Sequence, residues 1–314
     1  MPSPAKNISR TRVDINDRAE ATFQILARYR YMPTRFLYAL LPKHLQGDYS
    51  HFQNRLTKWS DKRFSLIAEP RQQYNVYNAH CKDNIYELGK NGTAYLKAAG
   101  LYPGYKVGNG DPYHHELLTC LVIASLEIEC KQIAGVDFIP WSELITFDQV
   151  PTSTKLAENP FRIPNGKNKQ GATTYTIPDG LPFLLRGNSK QFFFPGIETD
   201  MNTESLTGNA RVTVEKKFKS YINIANNKMF KKHFGFDNML VLFVFTSRQR
   251  MENAKKLLDK ITKGRGCSFI LFTYTDHLRS TRTSPDPVQL LPSDWDRVGK
   301  PSINLLEELN KKPH

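Results

Sequence analysis

The chain has 314 residues, 39% of them hydrophobic, with 44 Lys and Arg against 30 Asp and Glu for a net charge of +14. That is room for one large or two ordinary domains with a buried core, and the basic excess points to a polyanionic partner, nucleic acid or an acidic membrane surface. The longest apolar runs, such as residues 240–245, fall far short of the ~20 residues a bilayer span needs, so no membrane span is expected. The start MPSPAKNISRTR lacks an apolar signal core, and Cys81, Cys120, Cys130 and Cys267 show no CxxC spacing. A reduced, cytoplasmic protein without a cysteine-based metal cluster is therefore expected.

Charge is unevenly spread: residues 1–110 hold 17 basic and 8 acidic side chains, net +9, and residues 111–314 only +5. The segment 99–112 (AGLYPGYKVGNGDP), with four Gly and two Pro, reads as a linker. The expected domains are thus 1–110, 111–280 and a C-terminal tail, 281–314, polar and Pro-rich at first and amphipathic over 303–309. No internal repeat is evident, and NGKNKQG at 165–171 reads as a mobile polar loop.

Three short helices are expected first. Ile15, Ala19, Phe23 and Leu26 recur at helical spacing. Thr34 suits the N-cap of a second helix burying Leu37, Leu40 and Leu41, and Asp48 that of a third burying Tyr49, Phe52, Leu56 and Trp59. The opposite face of the third helix displays Ser50, His51, Asn54 and Lys58, all able to bond base edges or phosphates. Two strands, 64–68 and 84–88, follow, joined by a polar segment carrying Arg71 and Lys82. Three helices and then a hairpin is the order of a winged helix-turn-helix, with the third helix in a major groove and the wing on the backbone or minor groove. The plainer alternative is a protein-docking module with a solvated polar face.

In the second domain, residues 113–132 are apolar nearly all round, as in a helix packed between other elements. Strands are expected at 173–177, 181–186, 191–197, 239–245 and 267–274, and helices at 212–233 and 250–262. Runs such as LVLFVF and FILF indicate strands buried on both faces, hence a mixed α/β sheet flanked by helices.

A hairpin turn at 187–190 sets a register that places Asp179 opposite Glu198, with Asp200 on the same face two residues on. A bulge at Pro195-Gly196 would shift that register by one. Converging carboxylates repel unless a cation or a proton relieves them, and Mg²⁺ or Mn²⁺ held by Asp179, Glu198 and Asp200 would suit a phosphodiesterase. Glu116 would add a fourth oxygen ligand, or merely favour the helix dipole. His114 and His115 lack a third nitrogen or sulfur ligand at suitable spacing. Spacing alone favours the plainer reading, carboxylates solvated at the sheet end or paired with Lys and Arg.

The segments ILARYRYMPTRFLYALL, YELGKNGTAYL, HHELL, IPDG and GIETDMNTESL, spread over residues 15–275, together resemble the replication-relaxation proteins of plasmids and other mobile elements. Those proteins look related to relaxases of the C mobilisation class. The resemblance implies a winged helix joined to a restriction-endonuclease-like PD-(D/E)xK domain that nicks DNA at a transfer or replication origin with a divalent metal and no obligatory tyrosine. Pro178-Asp179 then stands for PD, Glu198 for the second acidic position, and Asp200 where lysine is usual, in the E-x-D pattern of the close family. Lys216, Lys217 and Lys219 on the next helix would supply the missing positive charge, or grip backbone phosphates. Tyr221 there is either a nucleophile or plain core. The implied partners are double-stranded DNA at a specific origin and relaxosome or replication proteins; the alternative is a non-catalytic DNA-binding regulator or accessory protein.

Overall fold

The computed structural model describes residues 13–74, 83–104, 113–168, 170–202, 204–210, 212–275 and 286–311. These are mixed α/β and divide into two compact units, 13–104 and 113–311. No helix among the described residues is long and apolar enough to cross a membrane.

The first unit runs α1 (Asp17–Tyr29), β1 (Met32–Pro33), α2 (Thr34–Leu40), α3 (Lys43–Gln46), α4 (Tyr49–Ser60), β2 (Ile67–Ala68), β3 (Ile85–Leu88) and α5 (Lys90–Ala98). The three strands form an antiparallel sheet in the order β1-β3-β2. Helix α1 starts where Asn16 accepts a hydrogen bond from the Ala19 amide, and it buries Phe23 and Leu26 as their spacing requires. Thr34 is not a cap: Pro33 precedes the helix, and the Thr34 hydroxyl instead donates to the Asn84 carbonyl.

Asp48 caps α4, accepting from the His51 amide at 2.8 Å, and Phe52, Leu56 and Trp59 are buried beneath it. Asp48→Ala should therefore lower the urea midpoint with an unchanged denaturant slope.

Helix α5 escapes a propensity reading because GKNG looks like a turn. Gly92 sits inside the helix for a packing reason, since a Cβ there would lie 2.1 Å from the Leu66 carbonyl oxygen. The helix thus approaches the end of the sheet more closely than any other residue type allows.

The second unit begins with α6 (Tyr113–Gln132), β4 (Asp137–Pro140), α7 (Trp141–Leu144), α8 (Thr152–Lys155), β5 (Ile163–Lys167), β6 (Thr173–Thr176), β7 (Phe183–Arg186), β8 (Gln191–Phe194) and β9 (Ile197–Asp200). It continues through α9 (Val214–Asn226), α10 (Met229–Phe234), β10 (Val241–Phe245), α11 (Arg248–Thr262), β11 (Ile270–Tyr274), β12 (Asp294–Arg297), β13 (Lys300–Asn304) and α12 (Leu305–Asn310). The main sheet has the order β13-β12-β11-β10-β9, with β9, β10 and β11 parallel and the other two antiparallel. Helix α6 packs on β9, while α9 covers the other face with Phe218 against Phe243 and Phe272. Every residue of β10 is buried, as its unbroken apolar run requires.

Several elements differ from expectation. The polar stretch at 165–171 is partly strand, because Ile163–Lys167 pairs with Thr173–Thr176 around a turn closed by the Asn168 side chain. The helix expected at 212–233 is two helices, broken at Lys228 in the left-handed conformation (φ 51°). The region read as a tail supplies β12, β13 and α12, with Trp295, Leu305 and Leu309 fully buried. Alternation is weak in these short strands, so their sequence reads as loop.

Candidate active site

The hairpin β7–β8 adopts the register set by the 187–190 turn, pairing Phe183 with Phe194 and Arg186 with Gln191. Beyond the strands that register persists, since the Gly180 amide donates to the Ile197 carbonyl at 2.9 Å. No bulge shifts it. Gly196 serves another purpose: a Cβ there would lie 2.2 Å from the Pro178 ring and 2.6 Å from the Gly180 carbonyl oxygen. Its bareness lets the segment 178–180 lie directly along β9. Asp179 is then fixed by the Thr199 amide, which donates to its Oδ2 at 3.0 Å.

Glu198 and Asp200 alternate with Thr199 along β9, so both face α9 and α11 while Thr199 faces α6. Asp179 and Glu198 converge on Lys217 of α9. Its ammonium lies 3.1 Å from Asp179 Oδ2, 2.9 Å from Glu198 Oε2 and 3.0 Å from Glu204 Oε1. Tyr221, one helical turn on, donates its hydroxyl to Glu198 Oε1. From α6, His115 Nε2 stands 3.2 Å from Asp179 Oδ2 and 2.9 Å from the Thr199 carbonyl oxygen.

Asp200 is not part of this convergence. The guanidinium of Arg250, at the start of α11, takes both its oxygens through Nε and Nη2 at 2.9–3.3 Å and also donates to the Glu204 carbonyl. The expected three-carboxylate site is thus two adjoining clusters, each with its own cation and linked through Glu204.

The groups are nearly dry, with side-chain exposures of 10% for Asp179, 2% for Glu198, 12% for Lys217 and 13% for His115. Burial disfavours charge on each, so the pairings decide which stay ionised. Burial pushes the Asp179 carboxyl up, but Lys217 and His115 overcome this and hold it well below the usual carboxylate range. Burial and the adjacent Asp179 instead raise Glu198 above that range, against the pull of Lys217 and Tyr221. Burial opposes the charge on Lys217, yet its three carboxylates keep it protonated. Burial likewise lowers His115, but Asp179 lifts it to about 9. Two adjacent carboxyls pushed in opposite directions are a common arrangement for acid and base work.

Among the described residues no group of three His, Cys, Asp or Glu side chains is placed to hold a metal ion. The donor set still suits a hard cation in part. Asp179 and Glu198 are oxygen donors already sharing one ammonium, and Mg²⁺ or Mn²⁺ needs only one or two carboxylates when waters and phosphate oxygens complete its shell. Asp200, bound to Arg250, does not fit that role. Glu116 is buried on α6 beside His115.

Of the three lysines considered, only Lys217 enters the cluster; Lys216 donates to the Ala210 carbonyl, and Lys219 pairs with Glu215 on the helix surface. Tyr221 is fully buried, so it meets no phosphate in this arrangement and acts on Glu198 instead. His114 is exposed and outside the cluster. Sequence reasoning missed Glu204 and Arg250 and passed over His115 as a partner for Asp179. Glu204 lies within the GIETDMNTESL segment, but nothing in the local pattern of the other two reveals their targets, 64 and 50 positions away.

In the first unit Ser50, His51, Asn54 and Lys58 are all exposed on α4, although Ser50 is engaged by the Asp48 cap. Arg71 is exposed in a short 3-10 turn, while Lys82 and Cys81 lie outside the described residues. Cys120, Cys130 and Cys267 are buried.

No protein-family model, curated protein or solved structure matches the chain.

Proposed function

We propose that the chain is a DNA-binding protein of a mobile element that nicks DNA at an origin, with a winged helix in the first unit and a PD-(D/E)xK-like cleavage site in the second. The observation that carries this reading is the convergence of Asp179, Glu198 and Lys217 from three separate elements. Lys217 of α9 would stand in for the lysine absent from the E-x-D strand, one of the two roles the sequence left open for the lysines of that helix. The convergence is framed by α6, the β7–β8 hairpin, β9, α9 and β10, with β4 to β6 inserted after α6 and α10 after α9.

Each residue has a task that follows from its surroundings. Asp179 and Glu198 would hold Mg²⁺ or Mn²⁺, which when bound polarises the scissile phosphate and lowers the pKa of water. Lys217 offsets phosphate charge, as a fixed cation in a dry site does with little reorganisation. His115 holds Asp179 ionised and oriented. Tyr221 orients the Glu198 carboxyl. Arg250 keeps Asp200 from adding a third negative charge.

One observation favours a second reading, a non-catalytic DNA-binding accessory protein: the carboxylates are already neutralised by Lys217 and Arg250. Supercoiled plasmid carrying the cognate origin separates the two. Conversion to open circles in Mg²⁺ or Mn²⁺, lost in Glu198→Gln, supports cleavage; binding without conversion supports the accessory role. The first unit is tested in the same preparation. Lys58→Ala should weaken binding to all sequences and flatten the salt dependence, whereas Asn54→Ala should relax sequence preference. Absence of DNA binding at low salt would remove both readings.

A further inference from the structure

Two exposed tyrosines lie close to the carboxylates, one in strand register and one along the chain. Tyr274 ends β11, and the strand register sets it level with Phe245 and Asp200 across three parallel strands. Two strand spacings put it about 10 Å from Asp200, at the carboxyl ends where α/β sheets bind ligands. Tyr175 lies in β6, four residues before Asp179 and so at most about 14 Å from it. Both rings are 42% exposed, where buried aromatics are the rule in this unit.

Each ring is backed by an exposed arginine. The Arg162 guanidinium sits 3.8 Å from the centre of the Tyr175 ring, and that of Arg248 sits 5.8 Å from Tyr274. A guanidinium covers one face of a ring and leaves the other for a second planar group. Ile177, between Tyr175 and Asp179, is itself 45% exposed, whereas Thr176 turns inward. The approach to Asp179 therefore presents two apolar side chains to solvent in succession.

The arginines beside the rings would attract phosphates. Planar, apolar and anionic together describe a nucleotide. In a duplex both faces of each base are covered by neighbouring base pairs, so only an unpaired nucleotide can stack on these rings. We infer that Tyr175 and Tyr274, with Arg162 and Arg248, form stacking platforms that hold unpaired nucleotides of a DNA strand near the carboxylate cluster. This inference rests on the DNA-cleavage reading and specifies the form of DNA that reaches the site.

The test is fluorescence anisotropy of the full chain with a labelled oligothymidylate and with a duplex of the same length, in EDTA so that cleavage plays no part. Tyr175→Ala and Tyr274→Ala should each weaken single-strand binding by about 5- to 150-fold, the range for losing one stacked base, and leave duplex binding unchanged. Tyr175→Phe and Tyr274→Phe keep the ring and should bind as wild type, while Tyr175→Leu, which keeps bulk alone, should behave as the alanine variant. Single-strand affinity unchanged in both alanine variants would overturn the inference and leave the DNA-binding reading standing, as would equal losses on both probes. A wild-type protein that binds neither probe would remove that reading together with this one.

Discussion

Lys217→Met should abolish the proposed nicking and also destabilise the second unit by about 3–5 kcal/mol, the range for removing one partner of a buried ion pair. The substitution leaves Asp179, Glu198 and Glu204 facing one another without their shared cation. The loss should grow with pH. Without the ammonium, Glu198 is raised further in the folded state, and a group whose folded pKa is raised withdraws stability as pH climbs through its unfolded value towards its folded one. Adding Glu198→Gln should restore part of the stability but none of the activity. Urea unfolding at pH 5 and pH 8, beside plasmid nicking, reads both effects. Full stability in Lys217→Met at pH 8 would mean that the carboxylates do not depend on this lysine.

Glu129→Ala should cost about 2–6 kcal/mol, because buried Glu129 on α6 accepts the backbone amides of both Leu290 and Leu291 at 2.9–3.0 Å. Removing the carboxylate strands two buried donors at about 1–3 kcal/mol each. Burial raises this carboxyl to about 6, with the two amides opposing the shift. A raised folded pKa means that the native state holds the proton more tightly, so the group's contribution is complete below about 4.5 and declines as pH rises through 6. Glu129→Gln keeps an acceptor oxygen without that titration. It should remain close to wild type at pH 7 and lack the decline between pH 4.5 and 6, as thermal melts across that range would show. A melt of Glu129→Ala equal to wild type would mean that the segment around Leu290 is held by other contacts.

How much of this was legible in the sequence differs by element. The Asp48 cap, the apolar face of α4 and the all-buried β10 follow from patterns contained within one turn or one strand, and they appear as expected. The 187–190 turn likewise fixed the opposition of Asp179 and Glu198 across β9, because a tight hairpin leaves no freedom of register. What local pattern does not hold is which cation meets which carboxylate. Lys216, Lys217 and Lys219 are equivalent in composition, and only the packing of α9 against the sheet through Phe218 turns Lys217 inward. Arg250 and Asp200 meet because β9 and β10 are parallel neighbours, which no spacing within the chain reveals. The strands at 294–304 were illegible for a different reason: an edge pair of mixed polar residues alternates too weakly to be told from loop.

The close approach made possible by Gly196 has a consequence for the order in which the second unit assembles. The hairpin alone brings Asp179 beside Glu198 and so creates a repulsion that it cannot relieve. Lys217 lies later in the chain and reaches the pair only when α9 has docked, while His115 reaches it only through α6. The hairpin in isolation therefore keeps a proton on one carboxyl, and both can ionise only once a flanking helix supplies a cation. A partly folded chain lacking α9 contains both acidic residues but not the ammonium they share. The paired carboxyls with their shared ammonium therefore exist only in the finished unit.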